Sequence, residues 1–212
     1  MLGELAARAS LWNRRRKLAL FLETMRPGPE TRVVDVGVGD TGFGTERGVA
    51  AGHNFFEALY PWPEQITAVS DVPLPNFARE FPQVRCVTAS GTDLPFQDDA
   101  FDVAFSNAVV EHVGGREEQQ RFVAELCRVA PRVFLSTPNR WFPVETHTLV
   151  PLVHWLPGDA ADRVFRTLGR RNWEQVRLLS KRELLALFPP AAGPRVVESK
   201  ITISVAATRT SK

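Results

Sequence analysis

A run of valines followed by closely spaced glycines most constrains the fold of this 212-residue chain. The valines are Val33, Val34 and Val36, and the glycines are Gly37, Gly39 and Gly42. β-Branched residues favour a short buried strand of a parallel sheet. Glycine accepts positive φ and lets a ligand approach the backbone, and amides exposed after a strand form a cradle for a polar group. The run therefore predicts the first strand and loop of an α/β fold, with a ligand at the loop.

Asp35 lies just before the glycines, and its carboxylate argues against a simple phosphate cradle. A carboxylate repels phosphate, but it attracts an ammonium group or binds hydroxyls. Two cofactor classes are compatible with the loop. The spacing Gly37-x-Gly39-x-x-Gly42 fits the dinucleotide fingerprint. The pattern Asp35-x-Gly37-x-Gly39 instead resembles the first motif of class I S-adenosylmethionine (SAM)-dependent methyltransferases.

A second motif, within residues 91–107, favours the methyltransferases over nicotinamide-binding proteins. It reads Gly91-Thr92-Asp93-Leu94-Pro95-Phe96, followed by Phe101-Asp102-Val103. It resembles the family's loop in which an acid binds the adenine amino group and the next backbone N–H meets the ring, and Asp93 and Leu94 match those positions. Leu-Pro-Phe and Phe-Asp-Val are typical of the small-molecule, type 11 branch. The resemblance covers roughly residues 15–138.

This resemblance implies a Rossmann-like α/β fold and SAM as the cofactor, with S-adenosylhomocysteine (SAH) as its product. The expected sheet is mostly parallel with an antiparallel last strand, has helices on both faces and carries a substrate cap. Asp35 and the glycine loop are expected around the methionine portion, and Asp71 at the ribose, because a carboxylate can accept two hydroxyl hydrogen bonds. The full set of expected cofactor-binding residues is Asp35, Gly37, Val38, Gly39, Asp71, Thr92, Asp93, Leu94 and Asn107.

One domain is the simplest division of a chain of this length. We expect an amphipathic helix over residues 8–26, a cofactor-binding core over 30–138, a substrate cap over 139–178, and a C-terminal helix and strands over 179–208. About forty residues between a fifth strand and the next helix exceed a simple connection, which is why a cap is predicted. Its tryptophans, which are candidates for stacking on a planar or sugar-ring substrate, are Trp141, Trp155 and Trp173.

Two smaller expectations concern the ends of the chain. The basic run at residues 14–17 shares the first helix with the apolar stripe of Leu18, Phe21 and Met25. We expect this run to be a solvated face or a basic lid over a substrate carboxylate or phosphate. The alternating residues of 196–208 predict the last strands, and the segment is short for two full ones.

Two histidines follow predicted strands at the edge where ligands bind in open α/β sheets. His112 follows the fourth strand and His147 the fifth, and either can serve as the general base that a hydroxyl acceptor needs. Glu111 or Glu145 can orient the ring. The same groups can ligate a divalent metal. No ligand spacing in the sequence supports such a metal, and none is predicted.

The composition excludes several partners. A formal net charge of +2 is too small to predict a nucleic-acid surface. The two cysteines, Cys86 and Cys127, have no metal-binding spacing and are expected to be reduced. No apolar run is long enough for a membrane span, and no signal peptide is evident. We therefore expect a cytoplasmic protein.

The sequence as a whole predicts a SAM-dependent methyltransferase that acts on a hydroxyl of a small or oligomeric acceptor. A sugar or saccharide hydroxyl is the first choice, and the partner is then a small molecule or oligosaccharide. The alternative is an N- or O-methyltransferase of another natural product or a lipid. A nicotinamide-dependent oxidoreductase and a SAM-binding protein without activity are less favoured. An apolar cap surface also makes a homodimer plausible.

Overall fold

A seven-stranded sheet forms the centre of the computed structural model, which describes residues 2–41, 54–157, 159–170, 173 and 176–209. The strands are β1 Val33–Val36, β2 Ile66–Ser70, β3 Arg85–Thr88, β4 Val103–Asn107, β5 Arg132–Pro138, β6 Arg195–Ser199 and β7 Thr202–Thr208. Their order in the sheet is β3-β2-β1-β4-β5-β7-β6. Gly42 lies outside the described residues, so its predicted role in the loop is not addressed by the structure.

The sheet is parallel except for its last strand. β1 pairs in parallel with β2 on one side and β4 on the other, whereas β7 runs antiparallel to both β5 and β6. The predicted fold class is therefore confirmed. The strand order reverses between β1 and β4, and the crevice at such a point, outside the carboxyl ends of the strands, is where open α/β sheets bind ligands.

Helices cover both faces of the sheet. They are α1 Leu2–Met25, α2 Phe55–Leu59, α3 Pro75–Glu80, α4 Arg116–Val129, α5 Asp159–Thr167 and α6 Lys181–Leu185. Helix α1 begins earlier than predicted and ends within a residue of the predicted end. Helix α6 begins at the predicted capping box, in which Ser180 Oγ accepts from the Glu183 N–H and Glu183 Oε2 accepts from the Ser180 N–H.

The core has two apolar clusters, one on each face, because alternate strand residues point to opposite faces. On one face α1 buries Phe21 against Phe105 and Phe134, and the Phe105 ring stacks on Phe56 with 4.0 Å between centroids. On the other face, α4 and α6 pack on β1, β4 and β5, with Phe122 fully buried. The apolar stripe predicted for α1 is thus confirmed.

No helix among the described residues has the length and apolar character needed to cross a membrane.

The chain ends differ from the expectations in two places. Lys17, the last residue of the basic run, is buried at 4% exposure and reaches into the protein beside β4, whereas Arg15 is exposed and Arg14 and Arg16 are half-buried. The C-terminal segment forms two strands, since only residues 200 and 201 separate β6 from β7 and nearly every residue enters the antiparallel pair.

Candidate active site

A cavity of about 320 Å³ lies where the loops that follow β1, β2, β3 and β4 meet. Those loops contribute Gly37 and Val38, then Asp71, then Ser90, Gly91 and Thr92, and finally Ala108, Val109, His112 and Val113. Apolar side chains of the core, including Val69 and Phe122, complete its wall. The cavity therefore occupies the position that the strand order predicts for a ligand.

Gly37 turns the chain sharply at the end of β1. Its φ is +103°, and a Cβ on this residue would lie 2.1 Å from Val109 Cγ2, so the position admits only glycine. The backbone N–H groups of Gly37 and Val38 donate to the Val69 carbonyl, at 2.9 and 3.1 Å. The expectation of free amides at these two residues was therefore wrong, because β2 already binds them. Gly37 and Val38 still line the cavity, but these two N–H groups are not available to a ligand.

Asp40 fixes the glycine loop to α3, which the sequence did not indicate. Its Oδ1 accepts from the backbone N–H groups of Asn76 and Phe77, at 2.7 and 3.0 Å. Gly39 is held on the other side, since its carbonyl accepts from the Asn54 side chain at 2.9 Å. Gly39 thus belongs to the support of the loop and does not line the cavity.

Asp71 and Thr92, two of the predicted cofactor-binding residues, both line the cavity. Asp71 lines the cavity with an exposed side chain at the end of β2, so its carboxylate can accept hydroxyl hydrogen bonds. Thr92 also lines the cavity, and its hydroxyl lies 2.8 Å from that of Ser90. Both residues remain predicted cofactor-binding residues.

Asp93 and Leu94 do not line the cavity. The backbone N–H of Leu94 donates to Glu125 Oε2 at 2.8 Å, so the expectation that it meets an adenine ring is wrong in this structure. Asp93 is exposed just beyond the lining residues. The loop presents Ser90 and Gly91 to the cavity instead, and their position directly after β3 is the signal that could have indicated them.

Asp35 faces another carboxyl group in the core. Burial raises its pKa well above the ordinary value, and the nearby Glu57 of α2 raises it further. Burial also raises the pKa of Glu57 to about 7. Neither Glu57 oxygen has a hydrogen-bond partner among the described residues, so a proton shared with Asp35 would satisfy the pair. Asp35 joins β1 to α2 and lies outside the cavity lining.

Asn107, at the end of β4, binds α1 instead of lining the cavity. Its Oδ1 accepts from Lys17 Nζ. Burial lowers the pKa of Lys17 to about 8, as does the charge of Arg14, while Glu111 and Glu198 oppose the shift. The sequence prediction missed this buried lysine because it is the last of four consecutive basic residues, a pattern typical of a solvated face.

The four predicted catalytic residues, Glu111, His112, Glu145 and His147, meet in one place, which we call the Glu/His cluster. Nε2 of His112 and Nε2 of His147 are 3.2 Å apart. His112 also lines the cavity, so the cluster borders the predicted cofactor site. A one-turn helix, Val110–His112, presents the first two residues after β4, and the segment after β5 presents the other two.

Glu145 holds His147 in place. It is buried and accepts from the backbone N–H groups of His147 and Thr148, and the His147 Nδ1 lies 2.7 Å from its Oε1. Burial alone would raise the pKa of Glu145, but the hydrogen bonds from His147 and Thr148 lower it to about 2. Burial likewise opposes the charged form of His147, yet the bond to Glu145 and the charge of Glu111 raise its pKa overall.

Glu111 is fully buried behind the two rings. Its Oε2 accepts from the Thr137 hydroxyl at 2.8 Å, a contact that the sequence did not indicate. Its Oε1 lies 3.8 Å from Nε2 of His147 and 4.0 Å from Nε2 of His112. That oxygen has no hydrogen-bond donor among the described residues. Glu145 therefore orients a ring, as predicted for one of the two acids, whereas Glu111 points an unpaired oxygen at both rings.

Two of the three candidate tryptophans lie together. Trp141 and Trp155 have ring centroids 6.2 Å apart and are 61% and 41% exposed. Trp173 instead packs on Phe165 and donates to Asp162, so it belongs to the packing of α5. Two of the three rings are therefore exposed together, and the third is part of the packing of α5.

Comparison with known proteins points to the same kind of fold. A family model described as a methyltransferase domain matches residues 34–132. Over these residues the chain is similar to class I SAM-dependent methyltransferase domains of the type 11 kind, whose cofactor is SAM. None of the curated proteins compared with the chain matches it significantly.

Solved structures share the fold at low sequence identity. The YcgJ protein from Bacillus subtilis is 21% identical, with a TM-score of 0.59, over 87% of this chain and 71% of that one. The 1,6-didemethyltoxoflavin-N1-methyltransferase from Burkholderia thailandensis is 18% identical (TM-score 0.58; 95% and 81% covered). The geranyl diphosphate C-methyltransferase from Streptomyces coelicolor is 14% identical (TM-score 0.58; 92% and 79% covered). These structures include methyl transfer to nitrogen and to carbon.

The residues of the cavity fit SAM. The nucleoside needs an acceptor for ribose hydroxyls and apolar walls for its base, and Asp71 stands beside Val69 and Phe122. Gly37 and Val109 pack directly against each other in the cavity wall, and Val109 occupies the space that a Cβ on Gly37 would need. Because Gly37 has no side chain, its backbone itself faces the cavity. A volume of about 320 Å³ lies at the lower end of the range for small-molecule sites.

Proposed function

We propose that this methyltransferase transfers the methyl group to a hydroxyl of a small acceptor, with a sugar or saccharide hydroxyl as the first choice. The observation that carries the proposal is the Glu/His cluster beside the cofactor cavity. His112 belongs to both, so an acceptor oxygen near its ring also lies near the cofactor. Transfer to an amine that arrives neutral does not need such a cluster.

The cofactor supplies an electrophilic methyl group on a sulfonium and leaves as SAH. The loops after β1, β2 and β3 bind and orient it, with Asp71 proposed at the ribose and Ser90, Gly91 and Thr92 proposed near the base. Gly39 supports the first of these loops through Asn54, whereas Asp35 and Asn107 connect β1 and β4 to the helices through Glu57 and Lys17. Asp93 and Leu94 are then proposed not to contact the cofactor. They continue the loop after β3, which the bond from the Leu94 N–H to Glu125 holds in place.

The Glu/His cluster activates the acceptor. A hydroxyl is a weak nucleophile at neutral pH, and a well-placed base contributes roughly a hundred- to ten-thousand-fold to its reaction. The hydroxyl O–H bond breaks as the oxygen forms its bond to the methyl carbon, and the proton leaves through the cluster. Glu145 fixes the His147 ring, and that ring and His112 are the two groups that can face the acceptor.

The segment 139–178 is proposed as the substrate cap of a single domain whose core spans residues 30–138. The exposed pair Trp141 and Trp155 supports a sugar-ring surface, because aromatic rings offer broad apolar contact to a ring of this size. A homodimer formed through exposed apolar residues of this segment, among them Leu149 and Leu152, stays a prediction.

A panel assay tests the acceptor class. The full chain is incubated with SAM and with sets of saccharides, phenols, lipid alcohols and amines, and methylated products are detected by mass spectrometry. We expect O-methylated products, with the highest rate on a saccharide, and a rate loss of at least about a hundredfold in His147→Ala. His154→Gln is the matched control, since Nε2 of His154 instead lies near the carbonyls of Arg140 and Phe142.

The outcomes separate the alternatives. Products on nitrogen only, with His112→Ala and His147→Ala as active as the parent, would remove the O-methylation proposal. Methylation confined to phenols or lipid alcohols would retain transfer to oxygen and remove the saccharide. SAH binding without turnover on any acceptor would point to a SAM-binding protein without this activity.

A further inference from the structure

We infer that Glu111, His112 and His147 form a binding site for one divalent transition-metal cation. One ligand atom from each residue, Oε1 of the acid and Nε2 of each histidine, lies within 4.8 Å of the other two. The two nitrogens are 3.2 Å apart, and the oxygen is 3.8 and 4.0 Å from them. Two histidines and one carboxylate that leave positions open are a donor set that divalent transition metals adopt.

The distances suit a shared cation. A cation about 2.0 to 2.2 Å from its ligands keeps neighbouring ligand atoms about 3 to 3.6 Å apart in tetrahedral or octahedral geometry. The separation of the two nitrogens lies within that range. Glu111 Oε1, at 3.8 and 4.0 Å from the nitrogens, is only a few tenths of an ångström outside it.

The lone pairs of the three atoms also point to a cation. Nδ1 of His147 lies 2.7 Å from Glu145 Oε1, so a ring that donates an Nδ1–H to this oxygen can present a lone pair at Nε2. Glu111 Oε1 is fully buried and meets no donor among the described residues. A bound cation satisfies all three at once.

Second contacts hold two of the ligands, as is usual in metal sites. Glu145 binds the Nδ1 side of His147 and Thr137 binds the far oxygen of Glu111. The His112 side chain is 39% exposed and lines the cavity, so a cation can enter from there. Imidazole with one carboxylate favours Zn²⁺, Fe²⁺ or Co²⁺ over Mg²⁺ and Ca²⁺, which prefer oxygen ligands.

His112 lines the cavity, so an open position of such a site would be reached from there by an acceptor hydroxyl. The cation would polarise that hydroxyl, which would release its proton to solvent, and the oxygen would form its bond to the methyl carbon as the sulfonium–methyl bond breaks. This use of the site rests on the proposed function, whereas cation binding itself does not. The imidazoles are then ligands, and proton removal no longer requires one of them as the base.

Metal binding to the full chain tests the inference without any activity assay. Chelator-treated protein is titrated with Zn²⁺ by calorimetry and with Co²⁺ by visible absorption, with Mg²⁺ alongside. We expect one Zn²⁺ per chain, absorption bands of a Co²⁺ site with nitrogen ligands, and no comparable Mg²⁺ binding. His112→Ala and His147→Ala should each lose the site, and Glu145→Gln should bind about ten- to a hundredfold more weakly.

His154→Gln is the control, because this histidine lies outside the cluster and the glutamine retains an N–H donor for the neighbouring carbonyls. SAH binding by each variant reports whether the fold and cofactor site are intact.

An unmodified chain that binds neither Zn²⁺ nor Co²⁺, or binding that persists in both His112→Ala and His147→Ala, would overturn the inference. Metal binding without transfer to any hydroxyl would overturn only the proposed function. O-Methylation by a metal-free chain that binds no cation would overturn only the metal site.

Discussion

Gly37 gives the sharpest prediction at the scale of a single residue. In Gly37→Ala, the added Cβ would meet Val109 at 2.1 Å in a backbone with φ +103°, so the loop must move away from the cavity. We expect SAH affinity to fall by at least about tenfold, since a positive φ strains any residue with a Cβ. Calorimetric titration with SAH measures this loss.

Gly28→Ala is the matched control for that change. A Cβ at Gly28 meets nothing within 4 Å, and this residue lies in the loop before β1 and outside the cavity. We expect its SAH affinity to equal that of the parent. Equal affinities for Gly37→Ala and the parent would show that the loop does not carry the cofactor site.

A pair of aspartates tests how the cofactor is held. Asp71 lines the cavity, whereas Asp93 does not. Hydrogen bonds to a charged group contribute about 1.5 to 3 kcal/mol, so Asp71→Asn should weaken SAH binding roughly ten- to a hundredfold. Asp93→Asn should change it little. The reverse ranking in the same titration would restore the adenine contact that the sequence motif predicts for Asp93.

The residues of the site were predictable to different degrees. Asp71, His112 and His147 follow strand ends, and strand ends can be read from short apolar runs. The contact between His112 and His147 could not be predicted, because it depends on the path of the chain after β5, which has no regular pattern. The Leu94 N–H was assigned wrongly to an adenine ring, because it donates to Glu125, which lies 31 residues away in the chain.

At the scale of elements, the carboxyl pair between β1 and α2 predicts a pH dependence. Glu57 has a pKa near 7 in the folded chain, against about 4.3 in an unfolded one. Between these values the folded state keeps a proton that the unfolded state has released. The stabilising effect is therefore complete below about pH 4 and declines as the pH rises to about 7.

Glu57→Gln removes one of the two titrating groups. We expect urea unfolding of the parent to lose about 1 to 3 kcal/mol more than that of Glu57→Gln between pH 4.5 and 7, because each pKa unit corresponds to about 1.4 kcal/mol. Parallel stability curves for the two proteins over this range would contradict a shared proton between Asp35 and Glu57.

The capping box of α6 gives a second prediction at this scale. Ser180→Ala removes the oxygen that accepts from the Glu183 N–H, and we expect a loss of about 1 kcal/mol in the free energy of unfolding. Ser180→Asp retains an acceptor and should lose much less. Equal losses for the two variants in thermal or urea unfolding would argue that the cap contributes nothing.

The elements themselves were largely predictable. Short β-branched runs indicated the parallel strands, and the Ser180-x-x-Glu183 pattern indicated the start of α6, because both signals are local. The burial of Lys17 and the carboxyl pair of Asp35 and Glu57 were not, since each depends on a partner in another element.

At the scale of the whole molecule, the strand order places one crevice at the carboxyl ends of β1 to β4 and brings the segment after β5 beside it. The cofactor and the acceptor can therefore be held by different parts of the chain. Residues 34–132 match the methyltransferase family model, while His147 and Glu145 come from outside that match. We therefore propose that the acceptor specificity of this chain belongs to the segment after β5.

The most direct test of the account is a calorimetric titration of the full chain with SAH and, separately, with NAD⁺, for the parent and Gly37→Ala. We expect the parent to bind one SAH and no NAD⁺, and Gly37→Ala to bind SAH at least about tenfold more weakly. That result would place the cofactor in the cavity beside the glycine loop and leave the acceptor to be identified. Binding of NAD⁺ in preference to SAH, or no SAH binding by the parent, would contradict the assignment of this cavity to SAM.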